Sequence, residues 1–242
     1  MRRLFLGAGL ICVSAVTAGA DILSARYTDP TSVYGHGVVP RGEYEAIEFR
    51  LKDGQVLSSP AGSSAVYEDT APRLVDVTGD GVPEVLSVIS YFDRGAALRV
   101  WDVVRNGATG TSQLQVLAET PAIGRRHRWL AVAGAADLDR DGSIEIAYVD
   151  RPHLAKTLRI WRLEGDELIQ VAEKSGLTNH RIGETHITGG IRDCGDGPEI
   201  ITADAAWARI IATRFSEGQL TSRDIGRFTG RQSVAAAMAC RS

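Results

Sequence analysis

Short apolar runs separated by Gly and Asp recur along this chain. "EVLSVIS" (84–90) and "EIAYV" (145–149) are rich in β-branched residues, while "ALRVWDVV" (97–104) and "TLRIWRLEG" (157–165) alternate apolar with polar positions in part. Runs of the first kind predict buried strands, and runs of the second kind predict strands with one face in water. Beyond residue 20, no segment carries a long 3.6-residue apolar period with caps. The pattern predicts an all-β domain.

The strands come in repeats. "RLVDVTGDGVPEVLSVIS" (73–90) aligns with "GAADLDRDGSIEIAYVD" (134–150), and "GGIRDCGDGPEIITAD" (189–204) is a worn third copy; each leads to a further strand. The first aspartates, Asp76, Asp137 and Asp193, lie 61 and 56 residues apart. A period of that length is one small antiparallel sheet, the blade of a propeller. The C-terminal "QSVAAAMACRS" resembles the strand leading into each acidic loop, and "GEYEAIEFRLKDGQVLSS" (42–59) resembles the later strands of a blade. The expected domain therefore covers 21–242 as a small propeller of four blades: 73–128, 129–185, 186–229, and a composite of 21–72 with 230–242. The terminal strands would close the composite blade and remove exposed sheet edges. An open stack of three-stranded units is the alternative.

The acidic loops carry the candidate chemistry. Calcium takes about six to eight oxygens, mostly carboxylate and carbonyl. Asp137, Asp139, Asp141 and Glu145 alternate around Gly142, and the Ser143 carbonyl lies between them. Glu145 is the ninth residue of the loop; the twelfth, where an EF-hand needs its acid, is Tyr148. The loop is therefore not an EF-hand. Asp141-Gly142 alone would make a hairpin turn, but a turn needs neither Asp137 nor Asp139, and unpaired carboxylates facing one another repel. One calcium ion is expected here. The first loop offers Asp76, Thr78, Asp80 and Glu84; the neutral hydroxyl makes it a looser second site. The third keeps Asp193, Asp196 and Glu199 in a shortened loop, expected to be only a turn.

"DVTGDGVPEVL" and "DLDRDGSIEIAYV" resemble the FG-GAP/VCBS repeats of integrin-α-like β-propellers, found in many exported bacterial proteins. The resemblance covers two units well, a third poorly and the composite blade hardly at all. It implies a propeller with calcium in loops between blade strands, acting in adhesion, recognition or as a structural module. Thr78 and the deletion in the third loop depart from the pattern.

The N-terminus changes the setting. "MRR", the apolar run "LFLGAGLICVSAVTAG" and the small residues Ala18–Ala20 form the three-part pattern of a secretory signal over residues 1–20; an N-terminal membrane anchor is the alternative. A periplasmic or secreted location is expected, with no membrane span in the mature chain. Without Arg2 and Arg3 the chain has 25 basic against 30 acidic residues. That balance argues against nucleic acid or an anionic membrane as partner. Export also leaves Cys194 and Cys240 as a pair in an oxidising compartment, either as a disulfide or as two buried thiols.

Three lead-ins to inner strands are basic: "GRRHRW" (124–129), "NHRIGETH" (179–186) and "GRFTGRQ" (226–232). In a propeller these positions meet at one end of the axial channel. Arg125, Arg126, Arg128, Arg181, Arg227 and Arg231, with His127 and His180, would form a positive rim for a small anion or acidic sugar; ordinary solvated arginine is the alternative. Trp101 and Trp161 occupy matching repeat positions and read as packing residues, leaving Trp129 and Trp207 as binding candidates. Glu184 and His186 would share a face if both lay on one strand. No Ser-His-Asp elbow, HExxH or phosphate loop is present. The expected function is a non-catalytic recognition or scaffold module for a protein or a small anionic or glycan ligand. The alternative is a hydrolase or lyase acting on an anionic substrate at the axial pocket.

Overall fold

The computed structural model describes residues 21–241; the expected leader lies outside the described residues. The described residues are nearly all β, with one helix. The strands are β1 (Ile22–Pro30), β2 (Glu43–Leu51), β3 (Val56–Pro60), β4 (Ala65–Glu68), β5 (Arg73–Val75), β6 (Glu84–Tyr91), β7 (Gly95–Arg105) and β8 (Ser112–Glu119) in the first half. The second half holds β9 (Leu130–Ala136), β10 (Glu145–Asp150), β11 (Thr157–Glu164), β12 (Glu167–Ser175), β13 (Leu177–Thr178), β14 (Gly190–Asp193), β15 (Pro198–Asp204), β16 (Arg209–Ser216) and β17 (Gln219–Arg227). Helix α1 (Arg231–Met238) follows.

The three repeats are three antiparallel meanders: β5 to β8, β9 to β12 and β14 to β17. The first is extended through β4 by β2, which pairs with β1 and β3, into an eight-stranded sheet. Trp101 faces Val85 across one ladder, and Trp161 faces Ile146 at the same place in the next. Both indoles are buried, as packing residues should be.

The sheets stack face to face because each central strand is apolar on both sides. All eight residues of β6 are buried. Alternation sends Leu86 and Val88 toward Trp129 and toward Ile146 and Tyr148 of the second sheet. Val85 and Ile89 point the other way, against Phe49 and Tyr67 of the strands that curl over the first sheet. In β10, Ile146 and Tyr148 take the first-sheet side, while Ala147 and Val149 pack with Ile200 and Phe215 of the third sheet. Each fully buried aliphatic side chain contributes about 1.5–3 kcal/mol by leaving water. Truncating Ile146 to Ala would open a cavity between two sheets and cost about 2–5 kcal/mol.

The C-terminus departs from expectation. Residues 231–238 are a helix, not a strand closing a composite blade. The segment is rich in Ala, a strong helix former, and a helix can cover a sheet face without sheet partners. Val234 and Ala237, three apart on one side of α1, pack on Ile201, Ile210 and Ala212, the outer face of the third sheet. A disulfide between Cys194, in the β14–β15 loop, and Cys240, just past α1, fastens the helix there, with Cα atoms 5.6 Å apart. Among the described residues, no helix is long and apolar enough to cross a membrane.

Candidate functional site

Glu145 opens β10 and folds its carboxylate back over the acidic loop. It is fully buried, and the Leu138 N–H donates to Oε2 at 2.8 Å. The Gly142 N–H donates to Asp137 Oδ2 at 3.0 Å, and the Ser143 N–H to Asp141 Oδ1 at 2.8 Å. Gly142 has φ +93°, a conformation that favours glycine at this bend. One oxygen from each of Asp137, Asp139 and Glu145 lies within 4.8 Å of the others. Asp137 Oδ1 is buried and has no hydrogen-bond partner.

Arg162 completes the cluster. Its guanidinium lies 3.2 Å from Asp139, 2.9 Å from Asp141 and 2.5 Å from Glu145. One guanidinium thus meets three carboxylates, with Asp137 beside them in the cluster. The donor set could hold a hard cation.

The first loop is arranged differently. Asp76 engages both oxygens with the N–H groups of Gly79, Asp80 and Gly81 at 2.7, 3.1 and 2.9 Å. Asp80 accepts from the Val82 N–H at 2.8 Å. Glu84 Oε2 accepts from the Val77 and Thr78 N–H groups, and Oε1 from the Thr78 hydroxyl. The structure does not bring Asp76, Thr78, Asp80 and Glu84 together as it does the second set. The two loops are neighbours: Thr78 faces Gly142 and Ser143 across a cavity of 290 Å³. In the third loop, Asp193 accepts from the Gly195 and Gly197 N–H groups, which makes it a turn. Glu199 there is bound by Arg192, Arg214 and Arg223.

Equivalent acids therefore sit in different fields. Burial pushes the Glu84 carboxyl up against its N–H bonds, and Asp102 adds to the rise. Burial also pushes Glu145 up, opposed by the Leu138 N–H and Arg162. Glu199 lies below the usual range: burial raises it, but Arg223, Arg192 and Arg214 together outweigh that cost.

The expected rim does not assemble as one surface. His127, Arg128 and Trp129 line one cavity, and His180 packs edge-on to Trp129 behind it. Arg125 and Arg227 are exposed. Arg126 donates to the Tyr34 carbonyl at 2.8 Å and lies over the Tyr34 ring. Arg181 lies 4.3 Å over the Trp207 ring, a cation–π contact. Arg231 lines a separate groove beside α1, together with His186. Residues 179–189 form no strand, so Glu184 and His186 do not share a strand face; the Glu184 carbonyl instead accepts from His180 Nε2 at 3.0 Å. The basic composition of the lead-ins was legible, but the partners that disperse the arginines come from distant segments.

No protein-family model matches the chain, and no curated protein matches it. The site therefore has to be read from its own residues. Sequence reasoning missed Arg162, although a signal was present: the matched tryptophans are followed by Asp102 in one repeat and Arg162 in the next. It also missed His36, Glu68 and His153.

Proposed function

We propose that the chain is an exported, non-catalytic recognition or scaffold module of the FG-GAP/VCBS propeller kind, whose 137–145 loop holds one divalent cation of the calcium type. Three stacked four-stranded meanders with acidic loops at matching places support the blade reading. The curled N-terminal strands and α1 would stand where a fourth blade does. The disulfide supports an oxidising compartment.

One observation carries the cation assignment. Asp137, Asp139 and Glu145 converge, and Asp137 Oδ1 is buried without a partner. A buried acceptor left unpaired is costly, and a cation would satisfy it. Asp137, Asp139, Asp141 and Glu145 would hold the ion with the Ser143 carbonyl, and the ion would supply positive charge that stiffens the β9–β10 connection. A single site is proposed, because Asp76 is already engaged by backbone donors and Glu199 by arginines.

The test is thermal unfolding after chelation, with and without added calcium. Calcium should raise the melting temperature, and Asp137→Asn should remove most of the rise. An unchanged melting temperature, with no ion retained on purification, would overturn the assignment.

A further inference from the structure

Four of the chain's five histidines gather at a second place, away from the acidic loops. A cavity of 280 Å³ is lined by His36, His127, Arg128, Trp129 and His153, with Leu154 and Ile182 at its edge. His180 lies directly behind His153, their ring nitrogens 3.0 Å apart. Three chain segments distant in sequence meet here, together with the single residue Ile182, and several contacts hold them in place.

The loop bearing His36 is tied down from below. The buried Glu43 carboxylate accepts the N–H groups of Gly35, His36 and Gly37 at 2.9, 2.7 and 2.9 Å. The Tyr34 hydroxyl accepts from the His127 N–H at 2.7 Å. Glu68, 1% exposed, takes His36 Nδ1 at 2.7 Å and the Ser90 hydroxyl at 2.6 Å. Its backbone carbonyl accepts from the Trp129 indole at 2.7 Å. Glu68 thus orients both the imidazole and the indole. His36 Nε2 has no protein partner among the described residues.

The charge of the wall selects a ligand. No Asp or Glu lines the cavity. Arg151 is neutralised through a two-nitrogen contact with Asp150, at 2.8 and 3.0 Å. Arg128 has no acidic partner within salt-bridge distance among the described residues; its one protein bond goes to the His127 carbonyl at 3.0 Å. A half-buried guanidinium with most of its donors unused suits a carboxylate or phosphate. The rest of the wall is hydrocarbon. Trp129 lies deep, while Leu154 and Ile182 are 61% and 68% exposed, an apolar lip where solvent would be expected to select polar residues. The cavity sits at the small end of ligand pockets.

The geometry points to a binding site for a small organic anion with an apolar body. Arg128 takes the charged end, and Trp129, Leu154 and Ile182 take the hydrocarbon. This rests on the recognition reading and supplies its ligand class, but it does not depend on the cation loop.

Calorimetric titration of the full mature chain tests the site, with benzoate, inorganic phosphate, benzyl alcohol and nickel as probes. Benzoate should bind, with phosphate and benzyl alcohol each at least about tenfold weaker, since each lacks one half of the recognition. Arg128→Gln should weaken benzoate by about tenfold or more while leaving the unliganded melting temperature in place, because Arg128 makes only one protein hydrogen bond. Leu154→Ala, at an exposed position, should weaken benzoate but leave phosphate unchanged. Asp137→Asn should leave benzoate binding intact, which separates this site from the calcium reading. The proposal is overturned if benzoate does not bind, if Arg128→Gln binds it equally, or if benzyl alcohol or nickel binds as well as benzoate does.

Discussion

Glu145 and Arg162 face each other across the β10–β11 ladder, with Arg162 Nε donating to Glu145 Oε1 at 2.7 Å. The same guanidinium also reaches Asp139 and Asp141. Arg162 is thus an internal cation for the loop. It limits the repulsion among these acids, and it would compete with a bound ion for the same oxygens. Arg162→Ala should therefore act in opposite directions: a lower melting temperature in chelator, and a larger calcium-induced rise than the wild type shows. Equal rises in the two proteins would remove Arg162 from the cation's coordination surroundings.

Glu84 and Glu199, the acids that close the first and third loops, should respond differently to neutralisation. Glu199 is buried against Arg192, itself only 9% exposed, so Glu199→Gln leaves a buried arginine without its counter-charge. The expected cost is about 3 kcal/mol, at the low end for a broken buried pair because Arg214 and Arg223 stay half in water. Glu84 has no arginine partner and is already pushed toward its neutral form. Glu84→Gln should cost less than about 1.5 kcal/mol, the net value of an ordinary hydrogen bond. Urea unfolding of both variants checks the order.

Reduction of Cys194–Cys240 should release α1 before the sheets melt. The bridge closes a 46-residue separation, and its loss should cost about 2–4 kcal/mol. Hydrogen exchange with and without reductant should show new exposure at 231–238 first. Unchanged protection there would mean that the contacts of Val234 and Ala237 hold the helix unaided.

Acid should weaken the histidine cavity. Burial, with His180, His36 and Lys156 nearby, holds His153 down at about 4 from an ordinary 6.5. Trp129 stacks on it and offers no charge. The folded value is the lower one, so the unfolded chain binds the proton more readily between these pH values. This contribution is full above pH 6.5 and is lost as pH falls toward about 4. His153→Gln should flatten the stability profile in that window, as read by melting temperature against pH.

Much of this protein is decided locally, and those parts are legible in the chain. β-branched runs with turn residues between them determine strands, and their recurrence determines three meanders in matching register, as Trp101 and Trp161 show. The acids of the 137–145 loop are close in sequence, so their convergence is a local property too, and a cysteine pair in a chain with a secretory leader pattern already pointed to the disulfide. Other features depend on contacts between distant residues. "QSVAAAMAC" resembles an inner strand, yet it becomes α1 because the outer face of the third sheet needs cover and Ala-rich sequence readily forms a helix. Arg162 comes to the acidic loop only through β10–β11 pairing. His36 meets His127 and His153 only because Glu43, Glu68 and Tyr34 hold an irregular loop against the neighbouring segments. Periodicity records which face a residue takes on its own strand, but the identity of the residue opposite is set by the stacking of the sheets.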